Sequence, residues 1–492
     1  MAKAFYISTA IDYPTAKPHL GHAFEKIGAD CMARWHRLKG EKVLFSNGLD
    51  EHGQKNEKVA REAGLPPKEF VDQQAAYFQQ AWAALDISTD SFIRTSDPEH
   101  MANSQKLFKK VFDKKLIYKG NYSGKYCVDC ERFYTEKELV QRNCPVHGKS
   151  CQQLEEETYF FKMGNFQKKL QEYISKNKEF IRPETRRQEI LSRLKIPLKD
   201  LSVSRASVQW GIPLPNDSSH TMYVWFDALA NYLTAAHFGK KDFKNFWPCD
   251  VHVVGKDILW FHAVIWPCML YACDIPLPKS LYVHGFVNLK GSEKMSKSLG
   301  NIVDPLELVQ KYGSDSVRYF LLREIPFGED GEYSEESLKN RHNLELANEF
   351  GNLVNRAFSM LEKYNNSKIP SSKTDKKLAK EWKAKEFAKK MDSFQFHMAA
   401  GEAMQFAKAC NKFVNEKEPW KLKGKERDAV LYSLMDSIRV LSIALSPFIP
   451  RTCDKVRSAL GVKELKWKEA RFNLLKAGTV VRKPEILFNK VE

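Results

Sequence analysis

No stretch of this chain is long and apolar enough to suggest a membrane span. The most apolar segment, residues 258–273, is short and carries His262 and Pro267. It reads instead as buried core beside an active site. The N-terminus lacks the charged, apolar and cleavage regions of a secretory signal, and low-complexity tracts are missing. The ten cysteines form no disulfide-like framework, which excludes a cross-linked secreted scaffold and fits a reducing cytoplasm. Negative charge is also in short supply: 61 Asp and Glu face 78 Lys and Arg, for a net charge of +17. Such an excess points to a polyanionic partner, nucleic acid before membrane, with a simple solubility role as the alternative. Otherwise the composition is ordinary for a soluble protein, 43% hydrophobic over 492 residues, enough for two to four domains with a substantial core.

The most informative stretch is Pro18-His19-Leu20-Gly21-His22. Residues 4–11 before it form a short apolar, β-branched run. After it, Phe24, Ile27, Cys31, Trp35 and Leu38 recur at spacings of three and four. The stretch therefore joins an expected strand to an amphipathic helix. Residues 42–45, after Gly40, supply a second strand and complete a βαβ start. In such a sheet, ligands bind beyond the carboxyl ends of the strands. Two imidazoles at a helix N-terminus, where backbone N–H groups and the helix dipole favour anions, suit a phosphate. Gly21 lets a flat ligand approach the backbone. By themselves these residues equally fit a plain helix start with surface histidines. A second element is Lys294-Met295-Ser296-Lys297-Ser298, between Gly291 and Gly300. Two lysines flanking small polar residues suit a mobile loop that closes on a polyphosphate; taken singly, such a loop is merely solvated.

Asn47-Gly48-Leu49-Asp50-Glu51-His52-Gly53 puts an acidic pair in a Gly-bounded loop at a strand's carboxyl end. It can hold an ammonium or ribose hydroxyls, or be a turn. A helix is expected over 54–63, stopped by Gly64 and Pro66-Pro67, with longer helical patterns through Trp82 and Leu116. Cys127 and Cys130 form one pair, and Cys144 and His147 another, each with two intervening residues and with thirteen between the pairs. That spacing can set four ligands tetrahedrally around zinc. Cys151 is the alternative to His147, and a redox pair at Cys127 and Cys130 is the alternative to zinc. With all four positions filled by protein, the site is expected to be structural. The charged stretch on to Arg205 reads as mostly helical, followed by strand-rich residues through Val208, Trp210, Ile212 and Pro213. The aromatic run at 222–229 fits either core or a deep pocket for an apolar side chain. Residues 251–257 form a strand ending in Gly255-Lys256-Asp257, placed for adenosine contacts, and residues 281–286 form the strand leading to the lysine loop. Strands that resume after the cysteine segment imply one nucleotide domain split by an insertion. From Asn301 onward the pattern is almost wholly helical, with amphipathic repeats beyond Gly351. The lysine-rich stretch at 373–390 reads as a solvated face.

Together, His19-Leu20-Gly21-His22 and Lys294-Met295-Ser296-Lys297-Ser298 resemble the paired signatures of class I aminoacyl-tRNA synthetases. With the zinc knuckle and the helical tail added, essentially the whole chain resembles the methionyl-tRNA synthetase family. The resemblance implies an α/β fold: a split Rossmann-type parallel sheet with a zinc-binding insertion, followed by an α-helical bundle domain. Residues 1–115 and 216–290 are then the halves of the catalytic domain, and 116–215 the connective insertion with its zinc knuckle. The lysine loop and stem-contact segment fall at 291–348, and the anticodon-binding domain at 349–492.

The resemblance also implies residue roles. Ile11, Tyr13, Trp225, Leu229, Tyr232 and His262 match the methionine pocket, with Leu229 standing where some members have proline. Asp50 matches the carboxylate that holds the α-ammonium. His19, His22, Gly255, Asp257, Ser296 and Lys297 fall to ATP, and His19, His22, Lys294 and Lys297 to the catalytic step. Asn352 and Arg356, from an N-x-x-x-R pattern, and Trp420 after Pro419 match anticodon readers. These residue types suit their tasks: a polarizable thioether lies well against Tyr13, Trp225 and Tyr232, and unstacked bases take stacking and edge hydrogen bonds. The implied enzyme uses methionine, ATP with Mg2+, and methionine tRNAs, initiator and elongator alike, with zinc as a structural cofactor. It is expected in the cytoplasm, off the membrane and as a monomer, because no counterpart of the C-terminal tRNA-binding extension of some members is visible. The alternatives are a synthetase for cysteine, leucine, isoleucine or valine, a tRNA-binding protein without catalysis, and a zinc-dependent nucleic-acid module. The pocket matches argue against the first and the intact signatures against the second. The strand–motif–helix start argues against the third.

Overall fold

Parallel strands buried on both faces dominate the N-terminal half, and their apolar runs show why. The computed structural model describes residues 3–127, 132–134, 139–145, 148–291, 302–462 and 466–492. Its central sheet has β1 (Ala4–Thr9), β2 (Lys42–Leu49), β3 (Ser91–Arg94), β4 (Ile181–Arg182), β5 (Val251–Gly255) and β6 (Leu281–His284). Their spatial order is β3-β2-β1-β5-β6-β4, and each neighbouring pair is parallel. From β1 the chain runs through α1 (Leu20–Leu38) to β2 on one side, while β5 lies on the other. The point where strand order reverses is thus between β1 and β5, the crevice where open α/β sheets bind ligands. The expected strand over 4–11 ends at Thr9, and the loop that follows, 10–19, carries Ile11, Asp12 and Tyr13 into that crevice. The helix expected over 54–63 is found at Gln54–Glu62.

The buried stripe of α1 contains Phe24, Ile27, Cys31 and Trp35. Its fit is close at Gly28, where an added Cβ would stand 2.1 Å from the Phe327 ring. Next to the sheet lie α2 (Pro98–Asp113) and the short α3 (Val224–Ala228).

The stretch read as helical up to Arg205 differs in part. Gln152–Phe161 is a strand, antiparallel to Ile117–Cys127 from Ile117 opposite Phe161 to Tyr126 opposite Gln152. Its Glu-rich composition favours helix locally, but cross-strand partners decide the outcome. Lys119 meets Glu157 at 2.6 Å and Tyr118 stacks on Phe160. Gln167–Lys176 and Glu184–Arg193 are helices as expected, and between them β4 joins the main sheet beside β6.

The C-terminal part is helical: α4 (Ser314–Glu324), α5 (Asn352–Asn365), α6 (Ala384–Asp392), α7 (Phe396–Lys417), α8 (Gly424–Leu445) and α9 (Pro450–Ala459). Its core is continuous with that around α1. Trp35 of α1 packs edge-on against Phe387 and Trp467, and its Nε1 donates to Asp392 at 2.7 Å. Among the described residues no helix is long and apolar enough to cross a membrane.

Candidate active site

The two signature histidines close the N-terminus of their own helix. His19 is the N-cap, and its Nδ1 accepts from the Gly21 backbone N–H at 3.1 Å; the Nδ1 of His22 accepts from the His19 N–H, also at 3.1 Å. This is a capping box built from imidazoles rather than from serine and glutamate. The rings stack with centroids 3.8 Å apart. Because each Nδ1 is engaged as an acceptor, the proton of the neutral ring sits on Nε2. The motif therefore offers two N–H donors at a helix N-terminus, a suitable lining for phosphate oxygens. Gly21 has a second reason to lack a side chain: a Cβ there would lie 3.0 Å from the His19 ring.

Beneath the histidines lies a buried charge network. Lys26, fully buried one turn beyond His22, donates to the Ala10 carbonyl at 3.0 Å, to Asp12 at 2.7 Å and to Glu25 at 2.7 Å. Glu25 also meets His284 of β6 at 2.9 Å. Asp12 lies 4.0 Å from His22 Nε2, and its Oδ2 is buried without a hydrogen-bond partner. Burial pushes the Asp12 carboxyl up, against the pull of Lys26. A single lysine thus ties the loop after β1 to the helix carrying the signature. None of these residues is prominent in the sequence; the available signal is the Glu25-Lys26 pair, set among the buried positions of an amphipathic helix.

An aromatic box stands across the crevice. Trp225 of α3 stacks on Phe261 at 3.7 Å, nearly parallel, with His262 edge-on at 6.2 Å. Tyr232 packs against His262 and Trp266. Its hydroxyl meets His262 Nε2 at 2.7 Å, while His262 Nδ1 is 2.9 Å from the Ile258 carbonyl. Only a donor can face a carbonyl, so Nδ1 carries the proton and Nε2 accepts from Tyr232. Burial lowers the His262 pKa to about 4, leaving it neutral. His262 sits in one wide π-helical turn, Phe261–Ile265, a distortion common at functional sites. Tyr13 packs against the same apolar cluster as Trp225. Asp50 is buried as well, its backbone N–H bonded to the Asp12 carbonyl and its own carbonyl held by Asn56.

Residues 5–155 and 137–358 match the family profile described as tRNA synthetases class I (M), and residues 369–492 match the anticodon binding domain of methionyl tRNA ligase. The chain belongs to this family. It is 44% identical to the methionine–tRNA ligase of Caldanaerobacter subterraneus subsp. tengcongensis, over 100% of this chain and 80% of that protein. To the methionine–tRNA ligase of Brucella suis biovar 1 it is 42% identical, over 98% and 97%. The structure superposes on Mycobacterium tuberculosis methionyl-tRNA synthetase in complex with methionyl-adenylate with a TM-score of 0.94 and 38% identity, covering 99% of each chain.

The remaining family-matched residues fall as follows. Ile11 is half-buried in the loop after β1, and Leu229 is buried just past α3. Gly255 ends β5, where an added Cβ would meet Asp257 Oδ1 at 2.6 Å and His284 Nε2 at 3.6 Å. A side chain there would have to push the Asp257 carboxylate aside. Lys294, Ser296 and Lys297 lie outside the described residues, but the chain just beyond them is anchored at the signature: the Leu20 N–H donates to the Val303 carbonyl at 3.1 Å. Asn352 and Arg356 share one face of α5. Arg356 donates to Asn415 of α7 at 2.9 Å, and Trp420, just beyond α7, is 46% exposed. For a large aromatic that exposure is unusual, and it leaves the ring available for stacking.

In the insertion, Cys127 and Cys144 are buried with Tyr134 in a small cluster of their own, and Cys151 packs against it. Cys130 and His147 lie outside the described residues. Gly148, at φ +65, makes the turn after the second pair, its N–H bonded to the Cys144 carbonyl. Burial and the neighbouring Cys127 and Cys144 push the Cys151 thiol to about 11. Among the described residues no group of three donors is arranged to hold a metal ion. Cys127, Cys144 and Cys151 bring thiols, donors of the type zinc takes, into one packed cluster without that arrangement.

Proposed function

We propose that this chain activates methionine with ATP to methionyl-adenylate and transfers the methionyl group to the 3′ end of methionine tRNA. The observation that carries the reading is the imidazole-capped helix at the β1–β5 crevice, facing an aromatic box, in a chain of the methionyl class I family. The methionine carboxylate attacks the α-phosphorus of ATP and pyrophosphate leaves; the 2′-hydroxyl of the terminal adenosine then attacks the activated carbonyl. His19 and His22 donate through Nε2 to phosphate oxygens, while Lys294 and Lys297 neutralise charge on the departing pyrophosphate. Asp50 pairs with the α-ammonium, and Gly255 and Asp257 receive the adenosine. Tyr13, Trp225, Tyr232 and His262 surround the thioether, with the neutral imidazole suited to an uncharged side chain. No covalent enzyme intermediate is required, so the protein contributes positioning and electrostatics. Mg2+, when bound with ATP, neutralises polyphosphate charge.

Asn352, Arg356 and Trp420 form the anticodon reader in this reading, supported by the Arg356–Asn415 bond and the exposed indole. Zinc would be held in the insertion by Cys127, Cys130, Cys144 and His147, with Cys151 the alternative last ligand; it would fix that hairpin's fold. We take the enzyme to be a cytoplasmic monomer; sedimentation at a dimer's mass would overturn the second part. The direct test is amino-acid-dependent ATP–pyrophosphate exchange. Exchange with methionine alone supports the whole reading. Exchange driven instead by leucine, isoleucine or cysteine keeps the fold and overturns the pocket, and exchange with none of them, with zinc and magnesium present, points to a tRNA-binding protein.

A further inference from the structure

Asp227 is a buried carboxylate with two buried imidazoles on it. Its Oδ2 lies 2.7 Å from His52 Nδ1 and its Oδ1 lies 2.7 Å from His100 Nε2. All three residues are at most 4% exposed, so the cluster makes no use of solvent. His100 belongs to α2 and is held from its other nitrogen by Thr234, at 3.3 Å. Burial pushes the Asp227 carboxyl up, and the two imidazoles outweigh it, keeping the group below the usual carboxylate range. An ionised acceptor between two N–H donors gives strong, directional bonds.

The location of this cluster matters more than its strength. His52 is two residues beyond Asp50 in the loop after β2. Asp227 is two residues beyond Trp225, on α3, and two before Leu229. The two elements come from opposite halves of the split sheet, 175 residues apart. The His52 loop is braced from two further sides. Trp210 packs its ring against His52 and donates through Nε1 to the Glu51 carbonyl, and Asn56 donates to the carbonyls of Asp50 and His52. In the reading given above, Asp50 holds one end of the amino acid and the Trp225 box the other. A direct polar tie between their carriers sets the span between them.

We propose that Asp227 is a positioning residue: through His52 it fixes the distance between the ammonium anchor at Asp50 and the thioether box at Trp225, and so sets the side-chain length the site accepts. This inference rests on the methionine-activating reading. Asp227 and His52 are joined to the carriers of Asp50 and Trp225, which the proposed reading gives to the amino acid, and not to His19 or His22, which it gives to ATP, so the two substrates should respond differently when the tie is cut.

The test uses the full chain in ATP–pyrophosphate exchange with wild type, Asp227→Asn, His52→Gln and the double variant. Methionine is compared with homocysteine, one methyl shorter, and ethionine, one methylene longer. A rise in methionine KM of about tenfold is expected in Asp227→Asn, with ATP KM changed less than about twofold. The preference for methionine over ethionine and homocysteine should narrow. The double variant should be no worse than the poorer single one, since both cut the same tie. Equal changes in the KM of both substrates, unchanged analogue discrimination, or additive single effects would overturn the proposal and leave the cluster a purely structural one. If Asp227→Asn fails to fold, His52→Gln carries the same comparison of KM values and analogues. A wild-type chain that exchanges no methionine would instead remove the reading on which the inference rests.

Discussion

Arg318 and Asp30 form an ion pair at 2.7 Å with both side chains fully buried. Arg318 lies on α4 and Asp30 in the middle of α1, the helix that begins with the signature. The same guanidinium donates to the carbonyls of Pro447 and Phe448, before α9, and to those of Leu85 and Asp86. One side chain thus joins the nucleotide-binding half to the helical half. Arg318 and Arg34 hold the Asp30 carboxyl at about 2 although burial alone would raise it.

Arg318→Ala leaves Asp30 charged in the interior with only Arg34 and Ser88 for company. Removing one partner of a buried ion pair typically costs about 3–5 kcal/mol. Chemical denaturation should show a loss of that order, and a change under about 1 kcal/mol would mean the pair is dispensable.

His262 gives the stability a pH dependence with a defined sign. Its folded-state pKa of about 4 lies below the ordinary value of about 6.5, so the unfolded chain binds the proton more readily. Its contribution is complete above about pH 6.5 and is lost as pH falls towards about 4, a total on the order of 3 kcal/mol. Urea titrations across that window should show the decline, and His262→Gln should make it shallower, leaving the share of His36 and His252, which burial also holds below the ordinary imidazole value. A variant with the same slope as wild type would remove His262 as the cause.

Replacing Trp420 by Ala should leave methionine-dependent pyrophosphate exchange intact and weaken charging of full-length tRNA. Base stacking on an aromatic is worth about 1–3 kcal/mol, so the loss should be about tenfold or more. Equal loss of exchange would place the indole in the fold rather than in recognition.

If the insertion holds zinc as proposed, chelation should remove it and loosen the insertion while sparing the sheet. Cys127→Ser should then lose the metal. Cys151→Ser and His147→Ala, compared by bound zinc and by the visible spectrum of a cobalt-substituted protein, will show which side chain completes the set, since thiolate and imidazole give different charge-transfer bands.

The strand–His-Leu-Gly-His–helix start was legible in the sequence because its pattern is local: it depends on residues a few positions apart, which helix and strand periodicity fix directly. The lysine loop, the cysteine spacing and the Asn352/Arg356 pair took their roles from the family resemblance. The sequence also determined that α1 is amphipathic and that its histidines stand at its N-terminus. Tertiary structure alone decided that Lys26 is buried against Asp12, from the loop after β1. It also paired the Glu-rich strand Gln152–Phe161 with Ile117–Cys127, against its local helical preference, and brought His52 to Asp227. In each case the deciding partner is distant in the chain or on another element. A charged residue surrounded by apolar neighbours has no satisfactory local solution; only folding supplies the opposite charge or the free carbonyl that makes its burial stable.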